Sequence, residues 1–505
     1  MKSRTYKTII LMSILPVLTL FCEGCGNNCK ANEQGPYQAN LESLKKHNDA
    51  PEWFRDAKLG IYFHWGVYSV PAYGSEWYPR NMHNKKHSHY KHHVETYGQP
   101  TEFGYHDFVP MFKAAKFDPA QWADLFKKAG ARFAGPVAEH HDGFSMWDSR
   151  HTPWNSVDKG PKRDITGKLG KAIRKQNMRF ITTFHHARNS LWEKTPGKWI
   201  GHYSHVKTNY PSILDEPENA ILYGYMPREK FVQMWKDKLT EVIDNYQPDI
   251  MWFDGWLNEI PENTRFEFAA YYFNKAQKWG KEVVIVRKQN DLPIEFSVLD
   301  HEKTRKIGAS RRVWMTDDTI STGSWCYTNN LKIKSTAKVI HALADTVSKN
   351  GVVLLNVSPM ADGTIPNDQQ KVLLELGNWL KTNGQAIYDT RPWITYGEGP
   401  IKEPTGGFKE RKKFMNLKYS AKDIRYTASK DSKTIYAIAL GKPEPAAKVT
   451  LTAFASKNVP DKVKKVSLLG SKEKIKFQQT DEALIITPPK NINTETAIAF
   501  KIEIK

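Results

Sequence analysis

Polar and ionisable side chains recur at the carboxyl ends of short apolar segments of this sequence. They are His64, His140, His141, His185, His186, Asp254, Arg287, Asp300, Glu302, Thr316 and Asp317. A buried parallel strand is normally apolar, and a polar group at its end costs desolvation free energy unless something there requires it. Histidine, carboxylate and arginine groups gathered in one place could transfer protons, attack a substrate or stabilise charge. The pattern therefore predicts a functional site built from several strand ends.

Asp254 is the carboxylate whose surroundings indicate a function most clearly. An aspartate before glycine often caps a helix, but Asp254 lies between Trp252 and Trp256. A carboxylate among large aromatic rings is costly to desolvate, so its presence needs a reason. Arg287 ends another apolar segment and is open to two interpretations. It could form a structural ion pair, or it could hold a carboxylate in its ionised form.

Histidines occur in two settings that lead to different predictions. His140-His141 and His185-His186 are consecutive pairs, and consecutive strand residues point to opposite faces, so the pairs favour a functional role over isolated structural histidines. Residues 83–93 read HNKKHSHYKHH, but the spacing is irregular and lysines interrupt it. We expect a solvated loop there and no metal site.

Eight predicted strands alternate with helical patterns between residues 37 and 392. The strands are 59–66, 131–141, 178–186, 249–255, 282–288, 295–300, 312–318 and 351–359. Helical patterns fall between them; one begins at Asp118-Pro119, and amphipathic stripes run over 228–246 and 366–383. This alternation predicts a (β/α)₈-like barrel, in which the carboxyl ends of all strands form one ring.

The pattern changes after residue 393. Ile498, Phe500, Ile502 and Ile504 alternate with Ala499, Lys501 and Glu503, which is the period of a strand. Similar short alternations recur upstream with turn residues between them. Residues 393–505 are therefore predicted to form a small antiparallel β-sandwich.

The first 36 residues read as an export signal and a linker. Lys2, Arg4 and Lys7 precede an apolar run over 9–21, so residues 1–25 are predicted to be a signal peptide. Cys22 or Cys25 could carry a lipid anchor after cleavage. Residues 26–36 are polar and are assigned as a linker. The protein is expected to be exported, to the periplasm or the cell surface.

The net charge of +20 over 505 residues raises the question of an anionic partner. No zinc finger, RNA-recognition signature or array of basic and aromatic residues accompanies the charge, so nucleic-acid binding is not expected. Attraction to anionic glycans stays open. The 16 tryptophans could bind the C–H faces of sugars or could fill a large core, and the sequence does not separate these two uses.

Long collinear motifs resemble one known family. They include WFRDAKLG at 53–60, IYFHWGVYSVPAYGSEWYPRNM at 61–82, EHHDGFSMWDS at 139–149, NYQPDIMWFDG at 245–255, GVVLLNVSPMADGTIP at 351–366 and LGNWLKTNGQAIYDTRPW at 376–393. These motifs are similar to those of the α-L-fucosidases of glycoside hydrolase family 29. The resemblance implies a (β/α)₈-like barrel followed by a β-sandwich. It also implies retaining hydrolysis of terminal α-L-fucosyl residues from a fucosylated oligosaccharide or glycoconjugate, without a metal or organic cofactor. An oligomer is left open.

The resemblance also implies roles for individual residues. Asp254 matches the nucleophile, and Arg287 matches a strand-end arginine beside it. The residues implied to bind the sugar are His64, Glu76, Trp77, His140, His141 and Trp252. Family members usually carry a tyrosine-rich segment where this chain has Phe184-His185-His186, so we expect a histidine, His185 or His186, to replace one sugar contact.

The general acid/base is implied less directly. Glu302 falls near the family's spacing for that glutamate, about twelve residues before Trp314, but the surrounding motif is poorly kept. Glu295, Asp300 and Asp317 remain competitors. Two alternative functions follow: a hydrolase of another fucose-like sugar such as L-galactose, or a fucose-binding protein that lost its acid.

Overall fold

A computed structural model describes residues 35–404, 407–445, 447–459, 462–492 and 494–505. The predicted signal peptide, residues 1–25, and most of the predicted linker lie outside the described residues, so export and lipid attachment stay predictions. No helix within the described ranges is both long and apolar enough to cross a bilayer.

Eight parallel strands form the sheet that positions the site. They are β1 (Leu59–Phe63), β2 (Phe133–Glu139), β3 (Arg179–Phe184), β4 (Ile250–Phe253), β5 (Val284–Arg287), β6 (Val298–Leu299), β7 (Trp314–Thr319) and β8 (Gly351–Val357). Each lies within or largely overlaps one predicted segment. Their order is β6-β5-β4-β3-β2-β1-β8-β7, and a single parallel bridge between Asp300 and Met315 brings the two edges together. The predicted barrel-like fold is thus confirmed.

The barrel interior is filled by alternate residues of these strands. Tyr62, Trp252 and Leu354 pack there with other fully buried apolar side chains from the same strands. The strands are apolar on both faces because the opposite face is covered by helices, as in β8, where all seven residues are buried. This packed interior leaves space for a ligand only at the ends of the strands.

Helices cover the outside of the sheet. The α-helices are Leu41–Leu44, Glu52–Ala57, Tyr78–Asn81, Ser88–Tyr97, Pro119–Lys128, Ile165–Lys175, Ser204–Asn209, Pro217–Leu222, Arg228–Tyr246, Glu262–Lys278, Thr336–Ser348, Asn367–Asn383 and Arg411–Met415. The 3₁₀ turns are Val67–Ser69, Tyr105–Met111, His186–Asn189, Pro211–Leu214, Leu257–Glu259, Gly384–Ala386, Phe408–Glu410 and Thr452–Phe454. A two-stranded hairpin, Leu191–Thr195 with Lys198–Gly201, follows β3. The helical patterns at 119, 228–246 and 366–383 are confirmed to within a residue or two.

The expectation of a helix after every strand is wrong at two places. Among the described residues no helix joins β5 to β6 or β6 to β7. The first connection, residues 288–297, contains Pro293 and is shorter than the dozen or more residues that a crossover helix needs. Residues 300–304 of the second connection line the site instead.

The C-terminal region forms two antiparallel sheets. Its strands are β9 (Gly397–Glu398), β10 (Ile424–Ala428), β11 (Thr434–Ala439), β12 (Val449–Leu451), β13 (Val463–Leu468), β14 (Lys476–Gln479), β15 (Leu484–Thr487) and β16 (Ile498–Ile504). The orders are β9-β10-β11-β16-β13 and β12-β15-β14. Phe500 and Ile502 of one sheet share a core with Leu484 and Ile486 of the other. Ala499, on the opposite face, packs against the barrel core, so both faces of β16 are buried at its beginning, whereas Lys501 and Glu503 further along are half-buried.

A buried ionic cluster fastens this region to the barrel. Asp345, on the helix Thr336–Ser348, contacts Lys349 at 3.0 Å and Arg425 of β10 at 2.5 Å. Glu403 contacts the same two cations. Burial alone would raise the pKa of Asp345, but Lys349 and Arg425 hold it well below its usual range. The cluster fixes the chain on both sides of residues 407–415, a segment that reaches the site described next.

Candidate active site

A cavity of about 1090 Å³ opens at the carboxyl ends of the barrel strands. Seven of the eight strands, β1 to β7, contribute polar side chains to it, from the strand itself or just after its end. They are His64, His140, His141, His185, Asp254, Lys288, Asp300, Glu302 and Asp317. Eight of the eleven strand-end residues singled out in the sequence therefore line one cavity, whereas His186, Arg287 and Thr316 do not, and Lys288 is a member that was not predicted.

Asp254 lies among three hydrogen-bonding or cationic groups. Its Oδ2 is 3.3 Å from Nε2 of His141 and 3.3 Å from Nδ1 of His185, and its Oδ1 is 3.2 Å from Nζ of Lys288. Burial would raise the pKa of Asp254, but Lys288 and His185 together hold it well below its usual value. The carboxylate is ionised at neutral pH and still 18% exposed to the cavity, as a nucleophile must be.

The ring of His141 is oriented by the backbone of His185. Nδ1 of His141 donates to the backbone carbonyl of His185, at 2.8 Å, which turns its Nε2 toward Asp254. Burial lowers the pKa of His185 to about 4, although Asp254 opposes that shift. The Nδ1–H of His185 can thus hydrogen-bond Asp254 without adding a second full positive charge.

Lys288 is the central cation of the cavity. Its Nζ lies 2.8 Å from Glu302, 3.2 Å from Asp254 and 3.3 Å from Asp317. Burial lowers the pKa of Lys288, but these carboxylates raise it well above its usual value, so the ammonium stays charged. Lys288 directly follows the strand end, so its position in the sequence was a usable indication of a role in the site. The sequence does not show, however, whether Arg287 or Lys288 faces the cavity.

The expectation that Arg287 lies beside Asp254 is wrong. Nε of Arg287 donates to Oγ of Ser297 at 3.0 Å, and its Nη1 donates to the carbonyl oxygen of Gln289. Its side chain therefore holds the β5–β6 connection and does not line the cavity. The reason is the alternation of side chains along a strand, which places Arg287 and Lys288 on opposite faces.

His186 and Trp252 also lie outside the predicted sugar pocket. The ring of His186 stacks near Trp235, with centroids 6.0 Å apart, on the helix side of β3. Trp252 is fully buried beneath the cavity, and its Nε1 donates to Oδ2 of Asp300 at 2.9 Å. The tryptophans that do line the cavity are Trp77, Trp256 and Trp325, of which only the first was predicted.

Glu302 is the second carboxylate suited to acid–base chemistry. Its Oε2 accepts from Lys288 at 2.8 Å, and its side chain is 22% exposed to the cavity. Asp254 and Glu302 therefore share one ammonium group. Their nearest oxygens are no further apart than the sum of the two Lys288 distances, about 6 Å, which is compatible with the separation of about 5–5.5 Å typical of retaining glycosidases.

The competing carboxylates are less suitable. Asp317 accepts from the Tyr62 hydroxyl at 2.8 Å and is 1% exposed; burial and the neighbouring Asp300 raise its pKa well above the usual range. Asp300 is buried and accepts from the Trp252 indole and from the backbone N–H of Glu302. Glu295 is exposed and lies outside the cavity lining. Of the four candidates only Glu302 combines access with contact to the shared ammonium.

His64, His140 and Glu76 line the remaining wall, as predicted from the resemblance. Nδ1 of His64 lies 2.7 Å from Oδ1 of Asn356, which fixes the ring. Glu76 accepts from the Ser324 hydroxyl and from the Trp325 backbone N–H, both at 3.2 Å. Burial lowers the pKa of His64 and of His140 well below the usual value, so both rings are neutral. Neutral rings can donate to and accept from hydroxyl groups.

Histidine nitrogens in this cavity are close enough to hold a metal ion. One nitrogen each from His64, His140 and His185 lie within 4.8 Å of one another, as do atoms of His141, His185 and Asp254. Among the described residues, Nδ1 of His140 and Nε2 of His185 have no hydrogen-bond partner. The same unpaired atoms are also suited to sugar hydroxyls.

The histidine-rich segment 83–93 is not the solvated loop that we expected. Its second half, from Ser88, lies in the helix Ser88–Tyr97, and His83, His89 and His93 are buried. Nε2 of His93 hydrogen-bonds the carbonyl of Phe103 at 2.8 Å, and Nδ1 of His83 that of Pro79, also at 2.8 Å. Aromatic side chains from other parts of the fold bury these rings. The polar composition of the segment does not indicate this packing, so it favoured a solvated loop.

Comparison with known proteins agrees with this geometry. A family model described as alpha-L-fucosidase matches residues 25–385, and one described as alpha-L-fucosidase C-terminal domain matches residues 418–504. The tissue alpha-L-fucosidase of Bos taurus is 31% identical over 467 residues, which cover 90% of this chain and 88% of the relative. The tissue alpha-L-fucosidase of Rattus norvegicus is 34% identical over 357 residues, which cover 69% of this chain and 72% of the relative.

A solved structure is similar over nearly the whole chain. The crystal structure of Thermotoga maritima alpha-fucosidase in complex with fucose has a TM-score of 0.71 and 29% sequence identity, and the match covers 92% of this chain and 99% of that one. The match of the family models to both the barrel and the C-terminal sheets, together with these relatives, shows that the chain belongs to the α-L-fucosidase family of glycoside hydrolases.

Proposed function

We propose that this protein is a retaining α-L-fucosidase that removes terminal α-L-fucosyl residues by double displacement, with Asp254 as nucleophile and Glu302 as acid/base. The observation that carries the proposal is the single ammonium of Lys288 shared by these two carboxylates in one cavity. A similar solved structure is described as a complex with fucose, which supports a fucosyl group as the substrate unit.

The two steps use the two carboxylates in turn. In the first, an oxygen of Asp254 attacks C1 of the fucosyl group while Glu302 gives its proton to the departing glycosidic oxygen, which leaves as an alcohol. The product is a covalent fucosyl-enzyme ester. In the second step Glu302 takes a proton from water, the water oxygen attacks C1, and Asp254 leaves as a carboxylate. Two inversions return the α configuration.

Lys288 keeps Asp254 ionised, and replacing it tests that role. In Lys288→Met the pKa of Asp254 should rise, because its main opposing charge is lost while its burial remains. The acidic limb of the kcat/KM profile is therefore expected to move to higher pH, with a loss of about 10²-fold or more at neutral pH. Steady-state rates on 4-nitrophenyl α-L-fucoside from pH 3 to pH 8 would measure both effects.

Two matched variants control this experiment. Lys288→Arg retains the charge and should keep the acidic limb nearer its original position. Arg287→Met removes the adjacent cation that points away from the cavity, and it should leave the limb where it is. A limb that moves in Arg287→Met and stays in Lys288→Met would contradict the assignment.

The anomer released first tests the proposed stereochemistry. Hydrolysis of 4-nitrophenyl α-L-fucoside followed by proton NMR should show α-L-fucose before mutarotation sets in. Initial β-L-fucose would rule out double displacement. The corresponding α-L-galactoside should be run in parallel, since the resemblance implies a histidine, His185 or His186, where family members usually carry a tyrosine-rich segment. Faster hydrolysis of that substrate would identify the L-galactose-type alternative, and binding of fucose without hydrolysis would identify a non-catalytic protein.

A further inference from the structure

Four cationic side chains line the cavity without a carboxylate within 4 Å of them among the described residues. They are Arg188, Lys303, Arg411 and Lys412. Arg188, Lys303 and Arg411 are partly withdrawn from water, where lysine and arginine are normally paired, while Lys412 is exposed. Burial lowers the pKa of Arg188 to about 10 and also lowers that of Lys303, and the carboxylates farther away, Asp254 for Arg188 and Asp318 for Lys303, offset only part of the shift.

The carboxylates of the cavity are already engaged elsewhere. Asp254, Glu302 and Asp317 share Lys288, while Asp300 accepts from the Trp252 indole and Glu76 from Ser324 and a backbone N–H. Among the described residues the four cations therefore form no close ion pair with these carboxylates, although Glu76 and Lys303 are near enough to influence each other's charge. Asp254, Glu302 and Asp317 lie around Lys288 at the reacting centre, and the cations without a close carboxylate line other parts of the wall.

Aromatic rings hold three of these cations in place. The Arg188 guanidinium lies 4.7 Å from the ring centroid of Trp77 and 4.2 Å from that of Trp256. The ammonium of Lys303 lies 3.9 Å from Trp325, and the guanidinium of Arg411 lies 4.0 Å from Phe408. A ring face stabilises a cation without cancelling its charge. Each group thus remains able to bind an anion.

The segment 407–415 builds this wall from outside the barrel. It supplies Phe408, Arg411 and Lys412 to the cavity, and Glu403, just before it, is held by Lys349 and Arg425. Lys412 and Phe408 are exposed, as is Trp256 at 42%, so this part of the cavity is its mouth. A terminal fucosyl group bound at Asp254 would direct its leaving group toward the mouth.

We propose that the mouth of the cavity is a leaving-group subsite for an anionic glycan, in which the cations bind a sulfate or carboxylate group on the sugar that carries the fucose. This inference rests on the proposed function, since the leaving group exists only if Asp254 and Glu302 cleave the fucosidic bond. Sulfate and carboxylate groups both present pairs of negatively charged acceptor oxygens, which an arginine fork can bind through charge-assisted hydrogen bonds.

The test compares three matched fucosyl disaccharides. One has a neutral sugar next to fucose, one carries a sulfate ester on that sugar, and one has a uronic acid there. We expect kcat/KM for at least one anionic substrate to exceed that for the neutral one by about tenfold in low salt. The advantage should shrink as salt is added. The two anionic arms show whether sulfate or carboxylate is the preferred group.

The variant Arg411→Gln/Lys412→Gln should remove most of the anionic preference and leave kcat/KM for 4-nitrophenyl α-L-fucoside unchanged. Lys413→Gln is the control, because Lys413 lies outside the cavity lining and pairs with Glu410 at 2.5 Å. Equal rates on neutral and anionic substrates, with the aryl fucoside still cleaved, would overturn the inference and leave the proposed function intact. If none of the fucosides were cleaved, both would fail.

Discussion

Asp254→Ala is expected to lower kcat/KM for 4-nitrophenyl α-L-fucoside by about 10⁴-fold or more. The loss should be this large because, in the part of the chain that the structure describes, no other carboxylate of the cavity is contacted by the same three groups. His141, His185 and Lys288 all direct their polar atoms to the Asp254 oxygens. Without that carboxylate no covalent intermediate can form, while fucose binding should survive.

Adding azide distinguishes an Asp254→Ala protein that has lost only its nucleophile from one that is misfolded. In Asp254→Ala, azide can occupy the vacated space and attack C1 directly, which gives β-L-fucosyl azide. The thermal midpoint should stay near that of the wild type, since Lys288 keeps Glu302 and Asp317 as partners. An Asp254→Ala protein that stays folded and hydrolyses the aryl fucoside at a wild-type rate would disprove the nucleophile assignment.

Glu302→Ala is expected to cost less on an activated substrate than on a natural one. The 4-nitrophenolate group leaves without protonation, so its departure needs little acid catalysis. Fucosyl disaccharides should lose about 10² to 10⁴-fold in kcat/KM, because their leaving oxygen must be protonated. Rates on both substrate types, measured for the same preparation, give the contrast.

The azide product again identifies the role. In Glu302→Ala azide should attack the fucosyl-enzyme on Asp254 and give α-L-fucosyl azide, the opposite anomer from that of Asp254→Ala. Glu295→Ala is the matched control, because Glu295 is exposed and outside the cavity. If Glu302→Ala treats both substrates like the wild type, Asp300 or Asp317 becomes the acid to test.

The strands were predictable because their signal is local. Each barrel strand is a short apolar run, and β8 is buried along its whole length. The absence of helices around β6 was harder to foresee. β6 has only two residues, Val298 and Leu299, and its position depends on pairing with β5 and on the bridge from Asp300 to Met315.

The sequence predicted which types of residue form the site better than it predicted the direction in which each side chain points. Strand ends gave Asp254, His141 and His185, which are in contact with one another. The choice between Arg287 and Lys288 depended on side-chain alternation at a strand end, where a shift of one residue reverses the face. Sequence could identify a cation at this point but not the direction of each side chain.

Residues 407–415 show the limit of sequence analysis most clearly. Phe408 and Arg411 lie more than 150 positions after Asp254 and outside every motif that indicated the site. They reach the cavity because a buried ionic cluster of Asp345, Lys349 and Arg425 fixes the C-terminal sheets to the barrel. Contacts between segments that are distant in the sequence do not produce a periodic pattern, so the sequence does not predict them.

The most direct measurement of the central claim is to trap the fucosyl-enzyme. The wild-type protein would be incubated with 2-deoxy-2-fluoro-α-L-fucosyl fluoride, whose fluorine at C2 slows the second step, and then digested for mass spectrometry. We predict one fluorofucosyl group per chain, attached to the peptide that contains Asp254 and absent from Asp254→Ala. A label on another carboxylate, or release of fluoride with inversion and no adduct, would contradict double displacement through Asp254.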